Sequence, residues 1–216
     1  MTGRRNRMAG CGWRTLLFAL SILSILAIAP ACAHHQSAND GPIRGVAIPA
    51  IAHGEMPVVA RYRSEILALA ARAPVTDPTL RRLAGFISLQ TFACLWGLIP
   101  GSLTDEASPF NECTHAYLAG ARALLTHMTS MPGDQSAAKD LQARVSAEIA
   151  SDPAANIVCS NSSQTFDSAD VTGPDWQLAP THAPTVLTFA ALVLLIVTGI
   201  LAARRRLLRE TASVAS

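Results

Sequence analysis

Two apolar runs, one near each end of the chain, limit what this sequence can fold into. Residues 15–29 follow four arginines, and residues 186–203 precede four more. The first run has the basic start, short apolar stretch and small residues of a secretory signal, and it is too short to favour a permanent span. The second run holds 18 uncharged residues, which as a helix cover about 27 Å and match the hydrocarbon thickness of a bilayer. We therefore predict one signal segment and one transmembrane helix.

These runs divide the chain into five segments. Positive charge flanks the cytoplasmic end of a span, so the arginines after residue 203 predict a cytoplasmic C-terminus and an exported domain. Sixteen arginines against one lysine indicate a GC-rich, bacterial coding sequence, so the expected location is a bacterial inner membrane, crossed once, with the main domain in the periplasm. The expected order is a cleaved signal peptide at 1–33, a helical extracytoplasmic domain at 34–151, a flexible tether at 152–183, a transmembrane helix at 184–203 and a short cytoplasmic tail at 204–216.

The small residues around Cys32 allow more than one fate for the signal. Ala29 to Ala31 before Cys32 fit a general signal-peptidase site, and so do Ala31 to Ala33 before His34. Alternatively, the chain is a lipoprotein with an acylated Cys32, although Ala29 stands where such signals usually carry a branched apolar residue. In a third interpretation the first run stays uncleaved, and both ends of the chain lie in the cytoplasm.

The exported region is mildly acidic. Between His34 and His182 it contains 14 acidic and 9 basic residues, a net charge of −5. Nucleic-acid-binding domains carry clustered positive charge, and membrane orientation already explains the arginines at the two ends. We therefore expect no nucleic-acid partner. The expected partners are the membrane and a protein in the same membrane or periplasm.

The exported region has the periodicity of helices and is long enough for one domain. Apolar residues recur at helical spacing from 56 to 73, and Pro74 stops that pattern. Asp77 followed by Pro78 has the form of an N-cap with proline in the first helical turn. No stretch alternates as a strand does, so the fold class is all-α, a small up-down bundle of about four helices. The predicted helices cover 56–73, 78–99, 109–131 and, after a turn at 132–134, the chain up to 151.

One uncharged stretch, residues 83–104, competes with this fold. It is a candidate for an additional membrane helix, but its strongly apolar part is only 14 residues long, which is more typical of a buried core helix. Ser88, Gln90 and Thr91 would also lack polar partners in lipid. We therefore assign the stretch to the central helix of the bundle.

Three cysteines remain after removal of the signal: Cys94, Cys113 and Cys159. In an oxidising compartment a disulfide is the usual outcome. Antiparallel second and third helices would bring Cys94 and Cys113 to the same pole of the bundle, and the fourth helix would return Cys159 to it. Loop entropy does not choose among the pairings. Our first choice is Cys94 with Cys113, and Cys113 with Cys159 is the alternative.

Cys113 and His115 also suggest a metal site, which Cys94 and Cys159 would complete. Residues two apart on a helix point about 200° away from each other, so we place Cys113 at the core and His115 on the polar side with Glu112. We assign no metal ligand, cofactor or catalytic residue from the sequence. The other histidines are interpreted as surface residues: His34, His35, His53, His127 and His182.

The segment 100–115 is the most chemically dense in the chain. A Pro-Gly turn, a helix start and acids that favour the positive end of the helix dipole explain most of its polar residues. Nothing in their spacing enforces a nucleophile next to a base, so a hydrolase is only a third alternative. We interpret the segment as a candidate interaction loop formed by Asp105, Glu106, Asn111, Glu112 and His115.

The sequence therefore predicts a membrane-anchored periplasmic helical domain with a non-enzymatic role. The first hypothesis is a binding or accessory subunit of a membrane complex, since residues 204–216 are too few for a cytoplasmic signalling domain. The alternative is a periplasmic protein that handles thiols or metal ions, because an odd number of exported cysteines leaves one thiol over.

Overall fold

In the computed structural model the chain forms a helical domain followed by a long apolar helix. The structure describes residues 43–133 and 135–214, so the predicted signal peptide and Cys32 lie outside the described residues. Two short strands pair with each other, β1 (Ala47–Ile48) and β2 (Phe166–Asp167). The prediction of a mostly helical chain is confirmed. The α-helices of the described residues are α1 (Met56–Ala71), α2 (Pro78–Ala93), α3 (Asn111–Met128), α4 (Ser136–Ser151) and α5 (Ala183–Val214).

Two of the helix starts follow directly from local sequence. Asp77 caps α2, and its carboxylate accepts a hydrogen bond of 2.7 Å from the Leu80 N–H. Pro78 occupies the first turn of α2, and Pro57 does the same in α1. The first turn of a helix has no intrahelical partner for its N–H groups, so proline is tolerated there. The start of α2 is therefore encoded locally, whereas α1 begins without a side-chain cap.

α2 ends at Ala93, and the predicted end at residue 99 is wrong. Leu95 has a φ of 46° and Gly97 has a φ of 79°, and a left-handed backbone cannot continue a right-handed helix. The hydroxyls of Ser88 and Thr91, within α2, donate to backbone carbonyls four residues earlier, so both groups are satisfied inside the helix. The uncharged stretch is therefore part helix and part turn.

α3 is the central helix of the bundle, not α2 as predicted. α3 packs against α1, α2 and α4, whereas α2 packs chiefly on α3. Small residues in α3 let its neighbours approach closely, and a Cβ at Gly120 would come within 2.9 Å of the Phe86 ring. The outer face of α2 is open to solvent, with Leu89 59% and Phe92 79% exposed. α2, which carries these exposed apolar side chains, thus lies at the edge of the bundle.

The segment predicted as a flexible tether packs against the domain. Phe166 in β2 pairs with Ile48 in β1 and is buried. Further along, the ring of Trp176 meets Phe110 edge-on, with 5.7 Å between the ring centroids. The expectation of no strands is wrong, since the structure contains β1 and β2. Each strand has two residues, which is too short to show an alternating pattern in the sequence. The polar and glycine residues of this segment form hydrogen-bonded turns on the surface of the bundle.

α5 is long and apolar enough to cross a membrane. Within the segment Ala183–Arg206, an 18-residue window has a mean hydropathy of 2.7 and is not covered by the rest of the domain. The hydroxyls of Thr188 and Thr198 donate to carbonyls of the preceding turn, which satisfies these polar groups inside the helix itself. The prediction of a C-terminal helix with the length and composition of a span is confirmed.

Candidate metal centre

Three side chains that can bind a metal ion meet beside the N-terminal half of α3. His53 Nδ1 lies 3.3 Å from His115 Nε2, and Cys159 Sγ lies 3.2 Å from the same nitrogen. The three ligand atoms fall within 4.8 Å of one another. The residues come from three separate parts of the chain, so only the tertiary fold brings them together.

His53 is positioned by a single 3₁₀ turn, His53–Glu55, which leads into α1. The N–H of Gly54 donates to the Ile157 carbonyl at 2.9 Å. A Cβ on Gly54 would lie 1.7 Å from the carbonyl oxygen of Ala154, so only glycine permits this close approach of two backbones. The contact holds the 3₁₀ turn against the loop that carries the third ligand.

His115 lies on the second turn of α3 and is fully buried. Its predicted place on the polar side is wrong, because residues 51–53 and 159–162 cover this face of α3. Its Nδ1 has no partner at full hydrogen-bond geometry among the described residues. The backbone of Ile51 nevertheless lies near enough to favour a higher pKa, against the larger effect of burial. The other ring nitrogen, Nε2, faces the two remaining ligands.

Cys159 lies in the loop between α4 and β2 and is the least buried of the three ligands. Its N–H donates to Ser162 Oγ at 2.8 Å, and the same oxygen accepts the N–H of His53 at 3.0 Å. Asn161 ties the loop to α3 by donating to Asn111 Oδ1 at 2.9 Å. One serine hydroxyl thus fixes the backbone of two ligands, and an amide pair fixes the loop relative to α3.

The environment of His115 favours its neutral form. Burial, followed by the nearby His53, lowers the pKa of His115 from its ordinary value of 6.5 to about 4. The neutral imidazole is the form that binds a metal ion. A catalytic Cys–His pair would need His115 to take and hold a proton from the thiol, and its lowered pKa opposes this. The arrangement is therefore better suited to a ligand than to a general base.

The spacing of the ligand atoms suits one bound ion. Zinc–nitrogen bonds of about 2.0–2.1 Å and zinc–sulfur bonds of about 2.3 Å put neighbouring ligand atoms about 3.3–3.8 Å apart. The separations of 3.2 and 3.3 Å lie at or just below the short end of this range. Imidazole and thiolate are donors that zinc and copper prefer. A small outward movement of the side chains would admit either ion.

The other two cysteines form a separate cluster at the C-terminal end of α2. Cys94 and Cys113 are buried, and their thiols interact with each other. Burial, followed by contact with Cys94, raises the pKa of the Cys113 thiol. Gln90 Nε2 donates to Cys94 Sγ at 3.1 Å. No disulfide joins Cys94 and Cys113 here, and their pairing stays a prediction. Cys159 belongs to the other cluster.

The residues predicted as an interaction loop separate in the structure. Asn111 and His115 are buried, and Glu106 is exposed. Glu112 is partly buried and accepts a hydrogen bond of 2.7 Å from Gln164. These side chains therefore do not share one exposed surface, and two of them lie in or beside the metal-ligand cluster.

Asp105, the remaining residue of that set, contacts the start of α5. Its Oδ2 lies 3.1 Å from His182 Nε2, and His182 Nδ1 lies 2.7 Å from Thr185 Oγ1. Its contact with His182, followed by the Ala107 N–H, holds the pKa of Asp105 below its usual value. His182 and His53 are both buried, so the interpretation of these two histidines as surface residues is wrong.

Sequence reasoning missed His53 and misplaced His115. The helical pattern correctly separated Cys113 from His115, since the two residues join different clusters. It could not show that a distant loop covers the face that carries His115. The one signal available was the odd number of exported cysteines, which indicates a thiol free for another use.

Comparison with known proteins adds no relative to this description. No family model matches the chain, and no curated protein or solved structure matches it. The observation that supports a function is the cluster of His53, His115 and Cys159 itself.

Proposed function

We propose that this chain is a membrane-anchored, non-enzymatic protein that binds one transition-metal ion through His53, His115 and Cys159. The observation that carries the proposal is the meeting of two imidazole nitrogens and one thiol within 4.8 Å. Both imidazoles are buried, and the hydroxyl of Ser162 holds the backbone of two ligands in place. Such donors, within bonding range of a single ion, are the ligand set that zinc and copper prefer.

The proposal includes the location expected from the sequence. In it, α5 crosses a bacterial inner membrane once, the domain lies in the periplasm and the C-terminus lies in the cytoplasm. The length and hydropathy of α5 support the anchor. The arginines at 204–206 support the orientation, because positive charge flanks the cytoplasmic end of a span.

An accessory role in a membrane complex is a second proposal, favoured by the surface around Cys159. Ile157 and Val158, which directly precede the loop's ligand, are 50% and 70% exposed. Exposed apolar side chains beside a site are typical of a protein contact. We propose that a protein partner in the same membrane or periplasm contacts this loop and exchanges the ion with the chain.

Metal binding by the full chain in detergent tests the first proposal. We expect one zinc or copper ion per chain after loading and removal of excess ion, measured by elemental mass spectrometry. Cys159→Ser and His115→Gln should each weaken binding by more than about 100-fold, because each removes one of three donors. Circular dichroism of each variant verifies that the helical fold is retained.

His127→Gln is the matched control for His115→Gln. Both residues lie on α3, but His127 is at its C-terminal end and contacts Asp77 at 2.9 Å rather than the cluster. This variant should bind metal as the wild-type chain does. Equal metal affinity in the ligand variants and the control would contradict the proposal, and so would a wild-type chain that binds neither ion.

A further inference from the structure

We infer that the ion held by His53, His115 and Cys159 is monovalent copper in a three-coordinate site, rather than zinc. This inference rests on the proposed function and adds the identity and the charge of the ion. Two properties of the site carry it, namely the charge of the ligand set and the number of strong donors within reach.

The charge of the ligand set matches a single positive charge. Two neutral imidazoles and one thiolate carry −1, so Cu⁺ forms a neutral centre whereas Zn²⁺ leaves a net charge of +1. An uncompensated charge is costly among buried groups, and His115 and His53 expose only 0% and 7% of their surface. No carboxylate belongs to the cluster in the described part of the chain.

The acidic residues closest in sequence to the two histidines bind other partners. Glu55, two residues after His53, forms an ion pair with Arg122. Glu112, on the turn of α3 before His115, accepts the amide of Gln164. Among the described residues, the site therefore has no built-in counter-charge for a divalent ion.

The described neighbours of the cluster also lack a fourth strong donor. Asn111 Oδ1 lies 3.9 Å from Cys159 Sγ, but it already accepts a hydrogen bond from Asn161. Ser162 Oγ accepts two backbone N–H groups and lies 3.5 Å from Cys159 Sγ, to which its hydroxyl can donate. Zinc takes four ligands, and where a protein supplies only three of them a water molecule fills the fourth position. The Cys159 thiolate is the soft donor that Cu⁺ prefers, and imidazole also suits copper, so we infer that the three donors present hold Cu⁺ without a fourth ligand.

The test compares the two ions on the full chain in detergent. Cu⁺, kept reduced without oxygen, and Zn²⁺ are each titrated in competition with a colorimetric chelator of known affinity. We expect one Cu⁺ per chain, bound at least about 1000-fold more tightly than Zn²⁺ because of the soft thiolate and the single negative charge of the ligand set. X-ray absorption of the copper form should show one sulfur and two nitrogen neighbours, with no fourth ligand.

The variants separate this inference from the proposed function. Cys159→Ser and His115→Gln should lose tight Cu⁺ binding, and His127→Gln should retain it. Zn²⁺ bound as tightly as Cu⁺, or a fourth ligand on copper, would overturn the inference and leave the proposed function standing. Binding of neither ion would overturn both. Undiminished Cu⁺ binding by Cys159→Ser would place the ion outside this cluster and would also overturn both.

Discussion

At the scale of single residues, the ionisation of His115 links the candidate site to stability. Its pKa falls from 6.5 to about 4 on folding, chiefly because of burial. Well above pH 6.5 the imidazole is neutral in both the folded and the unfolded chain. It then adds no pH dependence to the free energy of unfolding. As the pH falls below 6.5, the unfolded chain binds a proton that the folded chain does not, and the free energy of unfolding decreases.

We expect the metal-free chain to lose about 3 kcal/mol of stability through His115 as the pH falls from 6.5 to 4. Urea unfolding in the presence of a chelator, repeated across this range, measures the loss. His115→Gln cannot titrate and should show a flatter pH dependence. Identical pH dependence in the two chains would mean that His115 is open to solvent, against its observed burial.

At the scale of elements, the 3₁₀ turn that carries His53 depends on a backbone contact. A Cβ at Gly54 would lie 1.7 Å from the Ala154 carbonyl oxygen and 2.7 Å from its carbonyl carbon. A backbone cannot give way as the end of a flexible side chain does, so the turn and the loop of Cys159 would have to separate. Gly85, on the exposed face of α2, offers a matched comparison because a Cβ there meets nothing within 4 Å.

We expect Gly54→Ala to lower the free energy of unfolding by about 1–3 kcal/mol through overpacking and to weaken metal binding by displacing His53. Gly85→Ala should raise stability by about 0.5–1 kcal/mol, since alanine favours a helix interior, and should leave metal binding unchanged. Chemical unfolding and metal titration measure both effects. Wild-type stability and affinity in Gly54→Ala would be inconsistent with the close contact of the turn and the loop.

At the scale of the whole molecule, the chain between β2 and α5 connects the domain to α5 through specific contacts. His182 is buried and lies 3.1 Å from Asp105. The ring of Trp176 packs between Phe110 and Phe189, with centroid distances of 5.7 and 6.3 Å. α5 therefore leaves the domain from a defined position beside the loop that precedes α3.

We expect His182→Ala to speed hydrogen exchange of the amides at 172–182 by about 10-fold or more, because local opening becomes easier when the contacts with Asp105 and Thr185 are lost. Gln177→Ala, at an exposed position of the same segment, is the matched control and should leave exchange unchanged. Exchange mass spectrometry of the full chain in detergent measures both. Rapid exchange of this segment in the wild-type chain would instead support a free tether.

Features that depend on a few neighbouring residues were predictable from the sequence alone. The start of α2 follows from Asp77 and Pro78, because an N-cap and a first-turn proline act within one turn of helix. The apolar C-terminal helix follows from composition, because the length of a hydrophobic run is itself the signal. Helical periodicity likewise assigned Cys113 and His115 to different faces of α3.

Only the tertiary structure decided which of those faces are covered and by what. His115 is buried because residues 51–53 and 159–162, distant in sequence, close over it. The same long-range packing made α3 rather than α2 the central helix and formed β1 and β2 from two residues each. Periodicity reports which residues share a face, whereas burial and a ligand cluster depend on contacts between segments far apart in the chain. The three candidate ligands thus became a site only through folding.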